Sequence, residues 1–295
     1  MSIQLNHFAV KLARPDKAIQ VYYYWKSGTN PKAETILILP GLDESITDYH
    51  QFFEYLNSQV PGHSLLAIDL RGQGQTLIEE KKTNSLAVSI NIEEQNLIIN
   101  AIIDKLKIED IILIGLSYGA GVGLYFTNRN LKVKGLFLLA PYVSKFKMFQ
   151  PGVTGIWYRL IHLNPFYRAL SYFTLPFYFH LAKRRGRLNH LVTWDHKHMR
   201  ALTKLSTGIM KLSTTKEAEK LRNLDYGVNI LIGEQDDLVS IPAIKFLMEK
   251  IKTKNKRLDI LPKLGHRILI NHYQESSTWL TNIIKENKSK YLNLQ

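Results

Sequence analysis

Ser117 stands in the pentapeptide GLSYG, directly after the apolar run IILI. A strand that ends in G-x-S-x-G and turns at once into a helix holds the serine hydroxyl at the top of a sheet, in a turn so tight that its neighbours must be small. The helix that follows would present its N-terminal N–H groups and its dipole to a developing anion. The pattern therefore predicts that Ser117 is a nucleophile. A glycine-rich strand–helix turn without chemistry is the alternative.

A serine hydroxyl becomes an effective nucleophile when a base takes its proton and a third group orients that base. Downstream, the apolar segment VNILIG is followed by Asp236 and Asp237, and the segment RLDIL is followed by His266. Both positions come just after an expected strand, where open α/β sheets carry their sites. We predict His266 as the base, with an exposed loop histidine as the alternative. We predict Asp236, in the pattern G-x-x-D-x-x-V, as the acid, with Asp237 as the alternative.

A third apolar segment, ETILIL, lies upstream and ends in the tripeptide PGL. When serine, acid and histidine follow in this chain order, a loop at this place supplies a second donor to the oxyanion. We predict that the backbone N–H groups of Leu42 and Tyr118 form the oxyanion hole, where each donor contributes about 3–4 kcal/mol. Asp43 and Glu44 follow directly, and their negative charge is unfavourable there unless it points away.

Together these motifs resemble the α/β-hydrolase superfamily, closest to its monoglyceride lipase, lysophospholipase and serine-aminopeptidase-like group. The matching segments follow the order of the family: LPGLDES, DLRGQGQT, GLSYGA, GEQDDLV and LGHRIL. The resemblance implies an α/β-hydrolase fold, with a mostly parallel sheet, helices on both faces and a cap inserted after strand six. It also implies a catalytic triad of Ser117, Asp236 and His266 that needs no cofactor and no metal.

Two of these segments bear on the loops around the expected site. DLRGQGQT resembles the D-x-R-G-x-G-x-S turn after strand four, which implies that Asp69 and Arg71 hold loops in place and take no part in the chemistry. LPGLDES departs from the family, because Pro40 and Gly41 stand where the family has His-Gly. The family's histidine supports the shape of the oxyanion loop.

The elements that must position these residues follow from an alternation of short Ile/Leu/Val runs with longer amphipathic segments. This alternation indicates a parallel sheet with helices on both faces. Residues 5–12 and 18–25 are expected to form an antiparallel opening pair. Further strands are expected near 35–39, 64–69, 111–115 and 135–139, and two more strands with two helices within 226–287.

The charge of the chain is concentrated between the two halves of this pattern. The whole chain has 39 Lys and Arg, 25 Asp and Glu and a formal net charge of +14. Residues 141–215 hold twelve of the basic residues and one acid, Asp195, so they carry +11 of that charge, together with 13 of the 31 aromatic residues. We assign this segment to the cap, and 1–140 and 216–295 to the α/β-hydrolase core.

Within the cap, an uncharged stretch at 169–182 precedes a basic cluster made of Lys183, Arg184, Arg185 and Arg187. Fourteen residues are too few to span a bilayer but suit a core or interfacial helix. An apolar aromatic stretch beside basic residues suits an anionic membrane surface. The alternative is a cap that packs its aromatics on the core; an acyl-chain tunnel is compatible with both. Nucleic acid is not the expected partner, because no nucleic-acid module pattern is present.

The remaining composition excludes several classes of protein. The chain has no cysteine, which excludes disulfides, thiolate catalysis and cysteine metal sites. The cluster DHKH at 195–198 fits no strong metal-ligand motif. No long apolar stretch and no basic leader with an apolar core are present, so neither a spanning helix nor a signal peptide is expected and a cytoplasmic protein is the default.

The predicted function is that of a serine hydrolase acting on a carboxylic ester through an acyl-enzyme. The aromatic cap and the resemblance favour a lipid monoester, such as a monoacylglycerol or a lysophospholipid. The alternatives are a thioesterase for acyl-CoA or a carrier-bound acyl chain, then a peptidase, and, from another class, a non-catalytic binding protein on the same fold. The sequence leaves the oligomeric state open.

Overall fold

The computed structural model describes residues 3–12, 18–83, 90–143, 201, 204–205, 208–209 and 211–292. The strands in this part of the chain are β1 Asn6–Lys11, β2 Ala18–Lys26, β3 Thr35–Leu39, β4 Leu65–Asp69, β5 Ile111–Leu116, β6 Val133–Leu139, β7 Val228–Gly233 and β8 Lys256–Leu261. These eight strands form one sheet in the order β1-β2-β4-β3-β5-β6-β7-β8.

The sheet is mostly parallel, as the sequence predicts. β2 pairs antiparallel with both β1 and β4, and the remaining neighbours pair in parallel. The expected opening pair and the four strands expected near 35–39, 64–69, 111–115 and 135–139 are present within two residues of their predicted ends. The two strands expected within 226–287 are β7 and β8, but three helices begin in that segment where two were expected. Because the strands from β3 to β8 run in one direction, the loops that follow them lie along one edge of the sheet, which brings the predicted site residues to that edge.

The helices lie between the strands and after the last one. They are α1 His50–Gln59, α2 Gly74–Thr83, α3 Ile92–Lys105, α4 Tyr118–Thr127, α5 Thr214–Glu219, α6 Ile241–Lys250, α7 Ile268–Asn271 and α8 Tyr273–Leu292, with a 3₁₀ turn at Ile46–Tyr49. The start of α3 shows how the sequence sets such a boundary, since the Asn91 side chain accepts from the N–H of Glu94 at 2.8 Å in a capping box. Of the helices described, none combines the length and the apolarity needed to cross a bilayer.

The core lies on both faces of the sheet. All five residues of β3 are buried, with Leu37 and Leu39 in one apolar cluster and Ile36 and Ile38 in the other. Strands buried on both faces read as continuous runs of Ile, Leu and Val rather than as an alternation of apolar and polar residues. The loops that carry the predicted site residues therefore follow strands that are packed on both faces.

Most of the predicted cap, residues 141–215, lies outside the described residues. The whole of the basic cluster and the DHKH segment are among those left out. From the end of the segment, four described residues are buried within the same apolar cluster as α4: Ala201, Leu205, Ile209 and Leu212. The division of the chain into core and cap remains a prediction.

Candidate active site

Ser117 lies between β5 and α4 in a strained turn. Its backbone has φ 50° and ψ −106°, a conformation that non-glycine residues rarely adopt and that costs energy where it occurs. The N–H of Ser117 donates to the carbonyl of Leu139 at 2.8 Å, and its carbonyl accepts from the N–H of Tyr142 at 3.2 Å. The side chain is partly exposed and caps no helical N–H, so the hydroxyl is available for chemistry.

The two glycines of the pentapeptide leave no room for a side chain. A Cβ atom at Gly119 would lie 2.3 Å from the carbonyl oxygen of Leu39 and 2.5 Å from that of Pro40, and one at Gly115 would lie 2.6 Å from the Cα of Ala120. These are backbone atoms that cannot rotate aside. The absence of a side chain therefore lets the beginning of α4 pack directly against the end of β3, the strand that leads into the predicted oxyanion loop.

Replacing Gly119 with Ala should lower the free energy of unfolding by about 1–3 kcal/mol, because the added methyl group overlaps two carbonyl oxygens. Gly62→Ala is the matched control: the nearest atom to its Cβ would be that of Asn30 at 3.7 Å, an ordinary contact. The control should change stability by no more than about 0.5 kcal/mol. Urea unfolding of both variants measures the difference, and equal stabilities would contradict this close packing.

Leu42 and Tyr118 contribute the two predicted oxyanion donors. Within the described part of the chain, neither backbone N–H donates to a protein acceptor. The carbonyl of Gly41, which shares a peptide unit with the N–H of Leu42, accepts from Nε2 of Gln73. Because a trans peptide is planar, holding the carbonyl on one side also fixes the direction in which the N–H points. Their use as an oxyanion hole remains a prediction.

The predicted acid and base are in contact beyond the carboxyl ends of β7 and β8. Nδ1 of His266 lies 2.9 Å from Oδ2 and 3.1 Å from Oδ1 of Asp236. Asp236 is buried, and its Oδ1 also accepts from the N–H groups of Leu238 and Val239 at 2.9 and 2.8 Å. Asp237 is exposed, and among the described residues it makes no hydrogen bond to the ring. The carboxylate brought to His266 is therefore that of Asp236.

The environment of His266 favours its protonated form. Burial alone lowers the pKa of His266, but the hydrogen bond and charge of Asp236 raise it, the charges of Glu44 and Asp237 add to this, and the net pKa lies above the usual value. A carboxylate on Nδ1 fixes the proton there and leaves Nε2 to accept one. Activity that depends on neutral His266 should therefore fall as the pH decreases through this raised pKa.

Comparison with known families decides the identity of the scaffold. The profile of the family described as "Serine aminopeptidase, S33" matches residues 30–272, which include every residue discussed so far for the expected chemistry. The chain belongs to the serine aminopeptidase S33 family. It is therefore an enzyme of the α/β-hydrolase superfamily, and the predicted resemblance and fold class are confirmed. A search of curated protein sequences gives no significant match.

Solved structures of α/β hydrolases resemble this one along nearly its whole length. Haloalkane dehalogenase DbeA from Bradyrhizobium elkani USDA94 is 17% identical with a TM-score of 0.70, over 96% of this chain and 99% of that one. A carboxylesterase structure from the thaumarchaeon Nitrososphaera gargenis is 14% identical with a TM-score of 0.66, over 95% and 99%. A membrane phospholipase A, described as a bacterial virulence factor, is 14% identical with a TM-score of 0.65, over 96% and 87%. At these identities the likeness shows the fold alone.

In this α/β hydrolase, Asp69 joins two loops beside the expected site. The side chain is fully buried and accepts from the N–H groups of Ile46 at 2.9 Å and Gln75 at 2.8 Å. Burial raises the pKa of Asp69 to about 7, although the hydrogen bonds oppose this rise. The contacts tie the loop after β3 to the turn after β4, which agrees with the loop-holding role that the resemblance implies.

Arg71 holds the same turn from the other side. Its guanidinium is fully buried and pairs with Glu80 at 2.6 Å and Glu94 at 2.7 Å. Next to this pairing, Nε2 of Gln95 donates to the carbonyl of Arg71 at 3.0 Å and to the hydroxyl of Tyr118 at 3.1 Å. The sequence does not indicate this role of Gln95, because a polar residue inside an amphipathic helix shows no sign of its partner.

The sequence indicates Glu44 only as a negative charge that is unfavourable near the oxyanion hole unless it points away. In the structure its carboxylate is buried, and Oε2 accepts from the N–H of Gly41 at 3.1 Å and from the hydroxyl of Tyr49. Oε1 of Glu44 lies 3.3 Å from Nε of Arg267. Glu44 thus braces the loop in which Pro40 replaces the family's histidine.

Proposed function

We propose that this chain is a serine hydrolase that cleaves a lipid monoester, a monoacylglycerol or a lysophospholipid, through an acyl-enzyme. The observation that carries the proposal is the contact of Asp236 with His266, at the same edge of the sheet as the strained turn of Ser117. The order of these residues along the chain, serine, acid and histidine, is that of α/β hydrolases.

The proposed mechanism uses the chain's own groups in a fixed order. Oγ of Ser117 attacks the ester carbonyl carbon while Nε2 of His266 takes the hydroxyl proton. The carbonyl oxygen becomes an anion that accepts from the N–H groups of Leu42 and Tyr118. Asp236 keeps the proton of the ring on Nδ1 and stabilises the imidazolium.

Collapse of this intermediate breaks the bond to the alcohol, which leaves with the proton from His266. A water molecule then gives its proton to the same ring nitrogen and attacks the acyl-enzyme. The second collapse releases the carboxylic acid and returns the proton to Ser117. These steps require no cofactor.

The lipid class rests on the segment between residues 141 and 215. Its thirteen aromatic residues would suit an acyl chain, and its +11 charge would suit an anionic lipid surface. A membrane phospholipase A with the same fold offers a precedent for lipid hydrolysis on this scaffold. We therefore propose a peripheral contact with an anionic membrane, for a protein whose proposed location is the cytoplasm.

A substrate panel on the pure protein tests this proposal. The panel contains p-nitrophenyl esters, monoacylglycerols, lysophospholipids, acyl-CoAs and an aminoacyl p-nitroanilide. The highest kcat/KM is expected for a monoacylglycerol or a lysophospholipid. A higher value for acyl-CoA would replace the lipid esterase with a thioesterase, and a higher value for the anilide would replace it with a peptidase.

A fluorophosphonate probe separates an enzyme from a binding protein on the same fold. The probe forms a covalent bond with an activated serine, so labelling of Ser117 is expected. The Ser117→Ala variant is the control and should not be labelled. A wild-type protein that neither reacts with the probe nor hydrolyses any ester of the panel would support the binding protein instead.

Vesicle binding tests the proposed membrane contact. Replacing the basic cluster Lys183, Arg184, Arg185 and Arg187 with Gln should weaken binding to anionic vesicles, because each basic residue near such a surface contributes roughly 1 kcal/mol. Binding of the wild-type protein should also weaken with salt, since exposed charges are screened beyond about 8–10 Å at 0.1–0.15 M. Hydrolysis of a short ester should change little. Equal, salt-insensitive binding to neutral and anionic vesicles would contradict the contact.

A further inference from the structure

The carboxylate of Glu44 bridges the oxyanion loop and the loop that carries the base. Oε2 accepts from the N–H of Gly41, one residue before the predicted donor Leu42, at 3.1 Å. Oε1 lies 3.3 Å from Nε of Arg267, which directly follows His266 in the chain. The two loops are separated by more than two hundred residues of sequence, and this side chain contacts both of them.

The local chain conformation directs this carboxylate inwards. The N–H of Glu44 donates back to the carbonyl of Gly41 at 3.3 Å, which closes a four-residue turn. Asp43, inside the turn, has φ 65°, a left-handed conformation that Asp adopts more readily than most residues. The turn folds the Glu44 side chain over the peptide that precedes Leu42, where the hydroxyl of Tyr49 supplies a further donor.

A buried and unpaired negative charge at this place would destabilise the proposed oxyanion. The side chain of Glu44 is only 8% exposed, and the proposed intermediate carries its own negative charge beside the same loop. The guanidinium of Arg267, 25% exposed, offsets that repulsion. The pair therefore keeps a hydrogen-bond acceptor for the N–H of Gly41 without presenting a net charge to the oxyanion.

The same pair also contributes to the electrostatics of the base. In the described part of the chain, the charged groups that act on His266 are the carboxylates of Asp236, Asp237 and Glu44, and Arg267 lies beside Glu44. Glu44 is the member of this set that belongs to the oxyanion loop. A change in its charge should therefore alter both the stabilisation of the intermediate and the protonation of the base.

We propose that Glu44 and Arg267 are a positioning pair, which fixes the oxyanion loop to the loop of the base and keeps the charge between them balanced. The inference rests on the proposed serine-hydrolase function. Neither residue touches the reacting atoms in this proposal. Glu44 acts through the peptide of Gly41 and Leu42, and Arg267 acts through Glu44.

The test compares Glu44→Gln, Arg267→Gln and the double variant on a short p-nitrophenyl ester as a function of pH. Arg267→Gln leaves the carboxylate unbalanced and should reduce kcat by about 10- to 100-fold with little change in KM. Glu44→Gln retains an acceptor for Gly41 and should lose less than about fivefold. In the double variant the unbalanced charge is gone, so kcat should recover above that of Arg267→Gln alone.

The pH profiles should move in opposite directions. Glu44→Gln removes a negative charge near His266, so the pKa of His266 should fall and the acidic limb of kcat/KM should move to lower pH. Arg267→Gln removes a positive charge and should move that limb to higher pH. Arg267→Lys keeps the charge and should leave the limb in place, which also tests the pair if Arg267→Gln folds poorly.

Glu217→Gln is the matched control for a merely structural role. Glu217 pairs with Arg129 beyond the far end of α4, and its side chain is also 8% exposed. Its replacement should lower the melting temperature without moving the pH profile. Additive losses in the double variant, or unmoved limbs in Glu44→Gln and Arg267→Gln, would overturn the pair. A wild-type protein without activity that depends on Ser117 would instead overturn the proposed function.

Discussion

Replacing Ser117 with Ala is expected to reduce ester hydrolysis by about 10⁴- to 10⁶-fold, because the acyl-enzyme can no longer form. The variant should keep its fold. The side chain of Ser117 makes no capping bond to α4. Alanine has the same Cβ atom as serine, so the substitution leaves the energetic cost of the positive φ at this position unchanged. The bonds that hold the turn come from the backbone N–H and carbonyl of this residue, which the substitution leaves unchanged.

Initial rates on the best ester of the panel, with melting temperatures measured in parallel, decide this prediction. Ser58→Ala is a suitable control, because Ser58 is an exposed helical serine whose hydroxyl donates only to the carbonyl of Tyr55 among the described residues. The control should retain wild-type turnover. If Ser117→Ala keeps activity within tenfold of the wild type, Ser117 is not the nucleophile and the proposed mechanism fails.

The central strands β3 to β7 were predictable because they are short and mostly apolar. β3 and β5 are buried on both faces, so every residue in them is apolar or small, and the pattern is visible without any partner strand. Gly115 and Gly119 were predictable for a related reason. The tight turn requires small residues on both sides of the serine, and this requirement is visible in neighbouring positions of the sequence.

The residues that hold the loops around the site were not predictable in the same way. Glu44 and Arg267 lie 223 positions apart, and Gln95 reaches Tyr118 from another helix. Whether a carboxylate in a loop turns towards solvent or inwards depends on which donors the fold brings to it, and here these come from Gly41, Tyr49 and Arg267. The sequence shows the charge but not the partner that makes its burial tolerable.

Asp236→Asn is expected to reduce kcat by about 10⁴-fold, because the substitution should reverse the tautomer of His266. Oδ1 of Asp236 accepts two backbone N–H groups, from Leu238 and Val239. An asparagine should keep its carbonyl oxygen on these donors and turn its NH₂ group to Nδ1 of His266. Nδ1 must then accept a hydrogen bond, so the ring proton moves to Nε2, the atom that takes the proton of Ser117 in the proposed mechanism.

Asp237→Asn is the matched variant one residue along the chain. Asp237 is exposed and affects His266 through its charge, so turnover at alkaline pH should stay within about fivefold of the wild type. The acidic limb of kcat/KM should move to lower pH, because one of the charges that raise the pKa of His266 is removed. Steady-state kinetics of both variants across the pH range, with NMR of the imidazole protons, give the measurement. A larger loss in Asp237→Asn than in Asp236→Asn would transfer the role of the acid to Asp237, and a wild-type proton position on Nδ1 in Asp236→Asn would reject the tautomer argument.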